Sequence, residues 1–341
     1  MVRCILPSQK IVTKIIRSSV YDPWFNLSLE EYLLNQVEPN EVILYLWQND
    51  NTVVVGRNQN AWKECDTNQM ELDGCKLSRR LSGGGAVFHD LGNLNYTFIM
   101  DKKIYDLDRQ VNIILQSLSK HGVKALFSGR NDLTVNNKKI SGNAFYFLEE
   151  VALHHGTLLV DTDFQKLVKY LNVSKEKIKS KGIDSVRSRV ANLVNLKQGI
   201  TTEKIVESMK ECFIENYGGT NNEIIFAEDR KDGFQELYDK YGSWEWRYGE
   251  TPHFDIVFQN RFPWGELEIG LTLKKGKIDC IKVYSDAMNA DMIKGLMFAL
   301  KGCILRETEI LERLKEVENF SEEDKLIQEI QEWFVKEINT I

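Results

Sequence analysis

The 341-residue sequence lacks the features that mark several large classes of protein. It has no apolar run long enough to span a membrane as a helix. Its formal net charge of −6 argues against a general nucleic-acid binder, because such proteins normally carry a basic balance. With 43% hydrophobic and 28% charged residues, the remaining composition is ordinary for a soluble protein with a sizeable core. We see no internal repeat.

The cysteines and histidines also lack the spacing of metal-binding motifs. The six cysteines have neither CxxC nor metal-ligand spacing, so we expect reduced thiols in a cytoplasmic protein. The five histidines include one adjacent pair, His154-His155, and no HExxH motif, which argues against structural zinc. The first twenty residues have basic and no acidic side chains, as in transit peptides, but segment 10–17 is rich in β-branched residues and favours a first strand.

Hydrophobic patterns predict strands and helices in mixed order. Continuous apolar runs at 42–47 and 52–56 predict two strands joined by an Asn-Asp-Asn turn. Apolar residues at helical spacing predict helices over 25–36, 64–72, 107–121, 162–171 and 202–217. On the first of these helices we assign Glu30 and Glu31 to the polar side. After segment 244–252, a hairpin and further helices predict a small α+β unit.

These elements predict an α+β fold with mixed sheets. We place a large domain at 1–245 and a small C-terminal domain at 250–341. This layout of one large and one accessory domain favours a monomer.

A glycine triplet lies between a basic pair and a short apolar run in segment 79–90. Glycine lets backbone N–H groups approach a ligand, and arginines supply forked cations suited to carboxylate or phosphate. The segment has neither the Lys-Ser/Thr ending of a P-loop nor the spacing of a dinucleotide fingerprint. It therefore predicts a different anion-binding turn, although a glycine triplet is equally typical of a tight turn or bulge.

Two other segments bring lysines together. Lys138 and Lys139 precede Ile140-Ser141-Gly142 at successive strand positions, so they should face opposite sides of the sheet. One of them could neutralise charge on a phosphate or carboxylate, or both could simply flank a hairpin turn. Segment 166–181 contains six lysines and one glutamate, which indicates a solvated helix face or a docking surface for acidic partners.

Seven motifs, taken as an ordered set along the chain, resemble those of the lipoate–protein ligases of the biotin/lipoate ligase superfamily. They occupy 21–27, 54–60, 79–90, 129–133, 139–144, 154–159 and 185–190. Segment 244–246 and the C-terminal unit resemble the accessory domain of the long bacterial-type ligases. Ala61 stands where the family commonly has proline, which concerns loop stiffness more than chemistry.

The resemblance implies a two-step reaction. Lipoate and ATP, with Mg²⁺, first give lipoyl-AMP and pyrophosphate, and the lipoyl group then passes to a lysine of an acceptor. The implied acceptors are lipoyl (E2) domains of 2-oxoacid dehydrogenases or the glycine cleavage H protein, with no membrane or nucleic-acid partner.

The resemblance also implies which residues form the site, with Lys139 as the catalytic residue. The implied ATP and adenylate contacts are Arg80, Gly85, Ala86, Val87, Phe88, Asp132, Lys139, Ser185 and Arg187. The implied lipoate contacts are Leu27, Trp47, Arg80, Ser82, His89, Lys139, Gly142 and His155. Asp132 is in addition a candidate Mg²⁺ ligand, and segment 183–189, with Lys181, is implied to cover the adenylate.

Several alternatives remain open at this stage. An acyltransferase that works through a cysteine thioester is disfavoured, because no cysteine lies between Cys75 and Cys212. A lipoyltransferase that uses preformed lipoyl-AMP has the same motifs. A non-catalytic lipoate-binding protein would also have them, and only the motifs themselves argue against biotin as substrate.

Overall fold

A computed structural model describes residues 11–129, 131–171, 189–220, 223–248, 254–274, 277–318 and 324–338. Its chain packs as two compact units. The first comprises Met1–Val54, Trp62–Arg79 and Ala86–Arg247, and the second comprises Val55–Ala61, Arg80–Gly85 and Tyr248–Ile341. Two short segments from the N-terminal half therefore group with the C-terminal residues, and the domain limits at 245 and 250 stay a prediction.

The strands of the first unit alternate with helices. The strands are β1 (Val12–Ser18), β2 (Glu41–Trp47), β3 (Thr52–Val55), β4 (Lys76–Arg79), β5 (Val87–His89), β6 (Asn93–Asp101), β7 (Leu126–Ser128), β8 (Asp132–Val135), β9 (Lys138–Phe147), β10 (Val151–Leu159) and β11 (Glu223–Phe226). The helices are α1 (Pro23–Asn35), α2 (Ala61–Glu64), α3 (Thr67–Leu72), α4 (Leu107–Lys120), α5 (Phe164–Tyr170), α6 (Leu193–Leu196), α7 (Thr202–Tyr217), α8 (Gln235–Gly242) and α9 (Trp244–Tyr248). Short 3-10 helices occupy Lys102–Ile104 and Glu228–Phe234.

In the described residues, the main sheet has the order β11-β1-β2-β6-β10-β9-β8-β7. Strand β1 is parallel to β2 and β11, whereas the pairs from β2 to β7 are antiparallel. The apolar run of β2 is buried at every position, as expected for a strand covered on both faces. One face packs on α4 and α7 through the larger hydrophobic core, and the other carries α1.

Strands β2 and β3 do not form the hairpin that their short connection suggests. Strand β3 belongs to a separate sheet of order β4-β3-β5. Local patterns give the two strands and the turn between them correctly, but which strands pair is decided by distant parts of the chain. The chain leaves the main sheet at Asn49–Asn51, where Asn51 has a φ of +38°.

The C-terminal part of the second unit is an antiparallel sheet covered by helices. Its elements are β12 (Ile256–Phe262), β13 (Gly265–Lys274), β14 (Lys277–Ser285), α10 (Ala290–Leu300), α11 (Glu307–Glu318) and α12 (Asp324–Ile338). The sheet order is β12-β13-β14, and a separate hydrophobic core joins it to the helices. The predicted hairpin is β13–β14, and β12 is an additional edge strand. None of the helices described is long and apolar enough to cross a membrane.

Candidate active site

Lys139 and Asp132 form an ion pair on adjacent strands of the main sheet. The Lys139 Nζ lies 2.7 Å from Asp132 Oδ1, and about a third of each side chain remains exposed. The pairing register places Asp132 opposite Gly142 and Thr134 opposite Lys139. The structure therefore brings three of the predicted site residues together: Asp132, Lys139 and Gly142.

A β-bulge explains how Lys139 and Gly142 come to share a face. Residues three apart on a regular strand point to opposite faces. The register between β8 and β9 shifts between Leu133 and Thr134, which leaves Ile140 without an opposite residue. Because a bulge re-aims the side chains around it, the lysine crosses over Gly142, where an added Cβ would lie 3.0 Å from Nζ.

The lysine pair does flank a tight turn, as the alternative interpretation proposed. Asn136 and Asn137 both have positive φ, 51° and 62°, which is the geometry of a two-residue hairpin turn. As expected, the two lysines differ in environment: Lys138 is exposed and Lys139 is half-buried. Lys139 can therefore flank the hairpin turn and still present its charge on one face of the sheet.

The backbone of Lys139 is also held from the side opposite β8. Its N–H donates to Arg189 O at 2.7 Å, and Ala191 N–H donates to Lys139 O at 2.9 Å. Arg189 ends the segment 183–189 that was predicted to cover the adenylate. Ser185, Arg187 and Lys181 lie outside the described residues.

A polar chain links two of the predicted lipoate contacts on the α1 face of the sheet. Trp47 Nε1 donates to Thr97 Oγ1 at 3.1 Å, and that hydroxyl donates to Glu30 Oε1 at 2.7 Å. The same carboxylate oxygen lies 2.9 Å from His155 Nδ1. Trp47 and His155 are therefore tied together through Glu30 and Thr97, which sequence reasoning missed.

The assignment of Glu30 to the polar side of its helix was wrong. Glu30 is fully buried, whereas Glu31 is bound by Lys240 with Nζ 2.6 Å from Oε2. A buried carboxylate needs partners, and Thr97 and His155 supply them. Glu30 also contributes, after burial itself, to raising the pKa of the Tyr45 phenol well above its ordinary value. Helical periodicity could not identify this buried acid, because its partners come from strands β6 and β10.

His89 joins the same neighbourhood. Its ring centroid lies 6.1 Å from that of Trp47, and its Nδ1 lies 3.2 Å from Asn49 Nδ2. Leu27 is buried in α1, which packs on this face. His89 and His155 therefore both lie close to Trp47, and the three form a buried cluster of aromatic rings with polar ring nitrogens.

Strand β5 and Ala86, the residue before it, contain the other implied adenylate contacts of this unit. Phe88 is buried, with its ring centroid 5.6 Å from that of Tyr170, and Ala86 and Val87 are half-buried.

In the second unit, Arg80 organises the glycine loop. Its Nε donates to Ser82 Oγ at 3.1 Å, and one terminal nitrogen donates to Gly83 O at 2.7 Å and to Gly85 O at 2.8 Å. The residue is only 7% exposed. The guanidinium that was predicted to hold an anion thus also shapes the loop, since its forked donors match several carbonyls at once.

The three glycines of this loop differ in whether, and why, the structure requires glycine there. A Cβ on Gly83 would lie 2.2 Å from Ala287 O, and Gly84 has a φ of +91° and donates its N–H to Ala287 O at 3.1 Å. Gly85 has an ordinary φ, is exposed, and would meet no atom within 4 Å. Packing therefore requires glycine at two positions and leaves the third open to a ligand.

Arg79 takes a different role from its neighbour. Its Nε donates to Trp246 O at 2.9 Å and a terminal nitrogen donates to Arg247 O at 2.7 Å. In return, Trp246 Nε1 donates to Arg79 O at 2.9 Å. Arg79 therefore binds the C-terminal carbonyls of α9 within the first unit, where a cation suits the negative end of a helix.

A metal ion at this site would take most of its ligands from water and from the substrate phosphates. In the part of the chain that the structure describes, no three His, Cys, Asp or Glu side chains form a metal-binding group. Mg²⁺ usually keeps several waters and binds one or two carboxylates together with substrate phosphates. The single carboxylate of Asp132 fits that mode of binding.

Comparison with known proteins identifies the family. The family model for the lipoyl protein ligase A/B catalytic domain matches residues 22–214, and the model for the bacterial lipoate protein ligase C-terminus matches residues 251–334. The chain belongs to the lipoate–protein ligase family. The resemblance seen in the sequence motifs is therefore confirmed.

Solved structures support the same assignment. P. falciparum LipL1 in complex with lipoate is 31% identical, with a TM-score of 0.84, over 95% of this chain and 99% of that one. A bipartite lipoate protein ligase from Thermoplasma acidophilum, described with its E2 lipoyl domain, is 28% identical, with a TM-score of 0.64, over 72% of this chain and 100% of that one. Lipoate-protein ligase A bound with ATP is 25% identical, with a TM-score of 0.60, over 70% of this chain and 99% of that one. The predicted α+β fold with a small C-terminal domain is confirmed.

Proposed function

We propose that the protein is an ATP-dependent lipoate–protein ligase that makes lipoyl-AMP from free lipoate and transfers the lipoyl group to a lysine of an acceptor protein. The observation that carries the proposal is the half-exposed Lys139 ammonium, held over Gly142 and paired with one carboxylate. Related structures bound to lipoate and to ATP support both substrates.

In the first step, a lipoate carboxylate oxygen forms a bond to the α-phosphorus of ATP, and pyrophosphate leaves. Two anions approach each other in this step, so a fixed ammonium close to the reacting oxygens lowers the barrier. We assign this role to Lys139. Its tether to Asp132 and to the 189–191 backbone restricts its motion before substrates bind.

In the second step, the ε-amine of the acceptor lysine attacks the carbonyl carbon of lipoyl-AMP, and AMP leaves with the former carboxylate oxygen. The attacking nitrogen loses a proton as the amide forms. The Lys139 ammonium can stabilise both the oxyanion of this step and the departing AMP.

The cluster of Trp47, His89 and His155 suits the apolar chain and ring of lipoate. The ligand is an apolar chain and ring with one anionic end, and such ligands bind in mostly apolar slots with a few placed polar groups. We assign these three residues, with Leu27, to the lipoyl chain.

In the second unit we assign Arg80, Ser82 and the open Gly85 to substrate contact, and in the first unit Ala86, Val87 and Phe88. Ser185 and Arg187 are assigned by family resemblance. Mg²⁺ would be held by Asp132 and would neutralise phosphate charge when bound.

Intact-mass analysis of an acceptor tests the proposal. An unlipoylated lipoyl domain is incubated with the protein, lipoate, Mg²⁺ and ATP. We expect a mass gain of one lipoyl group that disappears when ATP is left out. A gain only with synthetic lipoyl-AMP would make the protein a transferase.

The choice of acceptor is tested in the same way. An E2 lipoyl domain and an H protein are offered separately and together. We propose the E2 lipoyl domain as a substrate because the archaeal relative is described with its E2 lipoyl domain, and the H protein by family resemblance. No gain on either acceptor, with lipoyl-AMP also supplied, would contradict the proposed activity.

A further inference from the structure

We infer that Asn143 is a positioning residue of the proposed adenylation site: it clamps the start of β8, and thereby holds the Asp132 carboxylate against Lys139. The inference rests on the proposed function only for its effect on rate, since the clamp itself is a property of the fold.

Asn143 binds the residue that precedes Asp132 through three hydrogen bonds. Its backbone N–H donates to Asn131 O at 2.8 Å, and its side-chain Nδ2 donates to the same oxygen at 3.1 Å. In return, Asn131 Nδ2 donates to Asn143 O at 3.1 Å. The side-chain amides therefore reinforce the strand pairing at the point where β8 begins.

This reinforcement lies in a short stretch of regular pairing between β8 and β9. Before Asn131 the chain turns, and Gly129 has a φ of +64°. After Leu133 the bulge interrupts the register. Asp132 therefore lies in a short paired segment between a turn and a bulge, and the Asn131–Asn143 contacts fix its N-terminal end.

A buried polar network fixes the Asn143 amide from behind. Tyr96 Oη donates to Asn143 Oδ1 at 2.5 Å, and His154 Nε2 lies 2.8 Å from the same oxygen. Tyr96 and His154 are both fully buried, and Asn143 is 3% exposed. With Oδ1 accepting from the Tyr96 hydroxyl and Nδ2 donating to the Asn131 carbonyl, only one orientation of the amide satisfies both bonds.

The network lies on the opposite face of β9 from Lys139. Gly156, which adjoins it, has to be glycine, because a Cβ there would lie 2.3 Å from Tyr96 Oη and 2.8 Å from Asn143 Oδ1. The side-chain hydrogen bonds of Asn143 go to Asn131, Tyr96 and His154, so we assign its effect on Asp132 to the Asn131 contacts. Loss of the clamp should therefore let Asp132 move relative to the ammonium.

The test compares Asn143→Ala with a stability control. Met209→Ala truncates a buried side chain on α7, in the same core but away from β8 and β9, and controls for lost stability. Pyrophosphate release with lipoate and ATP is measured for each protein.

We expect Asn143→Ala to lower kcat about tenfold to a hundredfold, as misplacement of about an ångström can do, with the KM for lipoate within about threefold of wild type. Met209→Ala should stay within about threefold of wild type in both constants. Equal losses of kcat in Asn143→Ala and Met209→Ala would reduce Asn143 to a structural role and overturn the inference.

A second readout does not depend on activity. The reactivity of the Lys139 amine toward an acylating reagent is measured by peptide mass spectrometry across pH, with Asp132→Asn as the reference for a lost ion pair. Asn143→Ala should raise the reactivity toward that of Asp132→Asn, and Met209→Ala should not. Unchanged reactivity in Asn143→Ala would overturn the inference. Wild-type protein that releases no pyrophosphate would refute the proposed function instead, and the labelling would still decide the role of Asn143.

Discussion

Two segments of this protein place a cation beside glycine, and they use it differently. Arg80 is 7% exposed and donates to Ser82 Oγ and to the carbonyls of Gly83 and Gly85. Lys139 has 38% of its side chain exposed and is paired with the single carboxylate of Asp132.

The difference follows from the two head groups and from their glycines. A guanidinium has a forked set of donors that can bridge several carbonyls, whereas an ammonium is a compact charge on a flexible stem. Gly83 and Gly84 let the loop pack closely on Ala287 and Met288, but Gly142 leaves room for the lysine itself. Arg80 therefore makes most of its contacts within its loop, whereas the Lys139 ammonium has one carboxylate partner and a larger exposed surface.

The largest effect should come from removing the available charge. Lys139→Ala should lower the rate of adenylation about a hundredfold to a thousandfold, the range seen when one donor to a developing oxyanion is lost. Pyrophosphate release measures the rate, and circular dichroism checks the fold. Lys138→Ala, at the exposed neighbouring position, is the matched control and should keep near-normal activity. Near-normal turnover in Lys139→Ala would contradict the proposed role.

The next effect concerns the loop that Arg80 organises. Gly83→Ala should destabilise the protein by about 1–3 kcal/mol or more, because its Cβ would overlap Ala287 O and backbone would have to shift. Gly85→Ala should leave the melting temperature unchanged, since nothing lies within 4 Å of that Cβ, and should raise the KM for a substrate. Thermal unfolding of both variants checks this. Equal melting temperatures would remove the distinction between the packed and the open glycine.

The contact between Lys139 and Gly142 can be tested by filling the space between them. In Gly142→Ala the new Cβ would lie 3.0 Å from Nζ and 3.1 Å from Cε, so the flexible end of the lysine should move while the strand remains folded. We expect kcat to fall about tenfold, with little change in melting temperature. The double variant Lys139→Ala/Gly142→Ala should be no worse than Lys139→Ala alone, and additive losses would show that Gly142 acts independently of the lysine.

The last expected effect, which does not involve either cation, is on the pH dependence of stability. Burial, followed by the charge of His155, lowers the pKa of His154 to about 3, below the usual 6.5. Between these values the unfolded chain binds a proton that the folded protein does not, so stability should fall with falling pH, by up to about 1.4 kcal/mol per pH unit from this group. Urea unfolding from pH 7 to pH 4 measures the slope. His154→Leu should show a shallower slope, and parallel slopes would exclude this histidine as the cause.

Much of the molecule follows from local sequence. Alternating and continuous apolar runs locate most strands, and the Asn136-Asn137 pair predicts a tight hairpin because asparagine tolerates positive φ. The order of the motifs was enough to identify the family, since glycines and charged residues at fixed spacing reflect the needs of a site. Lys139, Asp132 and Gly142 were predicted together on that basis.

What the tertiary structure decided involves residues far apart in the chain. Glu30 is buried because strands β6 and β10 bring Thr97 and His155 to it. Strand β3 leaves the sheet of β2 although only a turn separates them. The bulge at Ile140, which puts Lys139 on the face of Gly142, depends on the register with β8. Local spacing in the sequence by itself determined the family and the candidate site residues; long-range pairing alone determined where the side chains of those residues point.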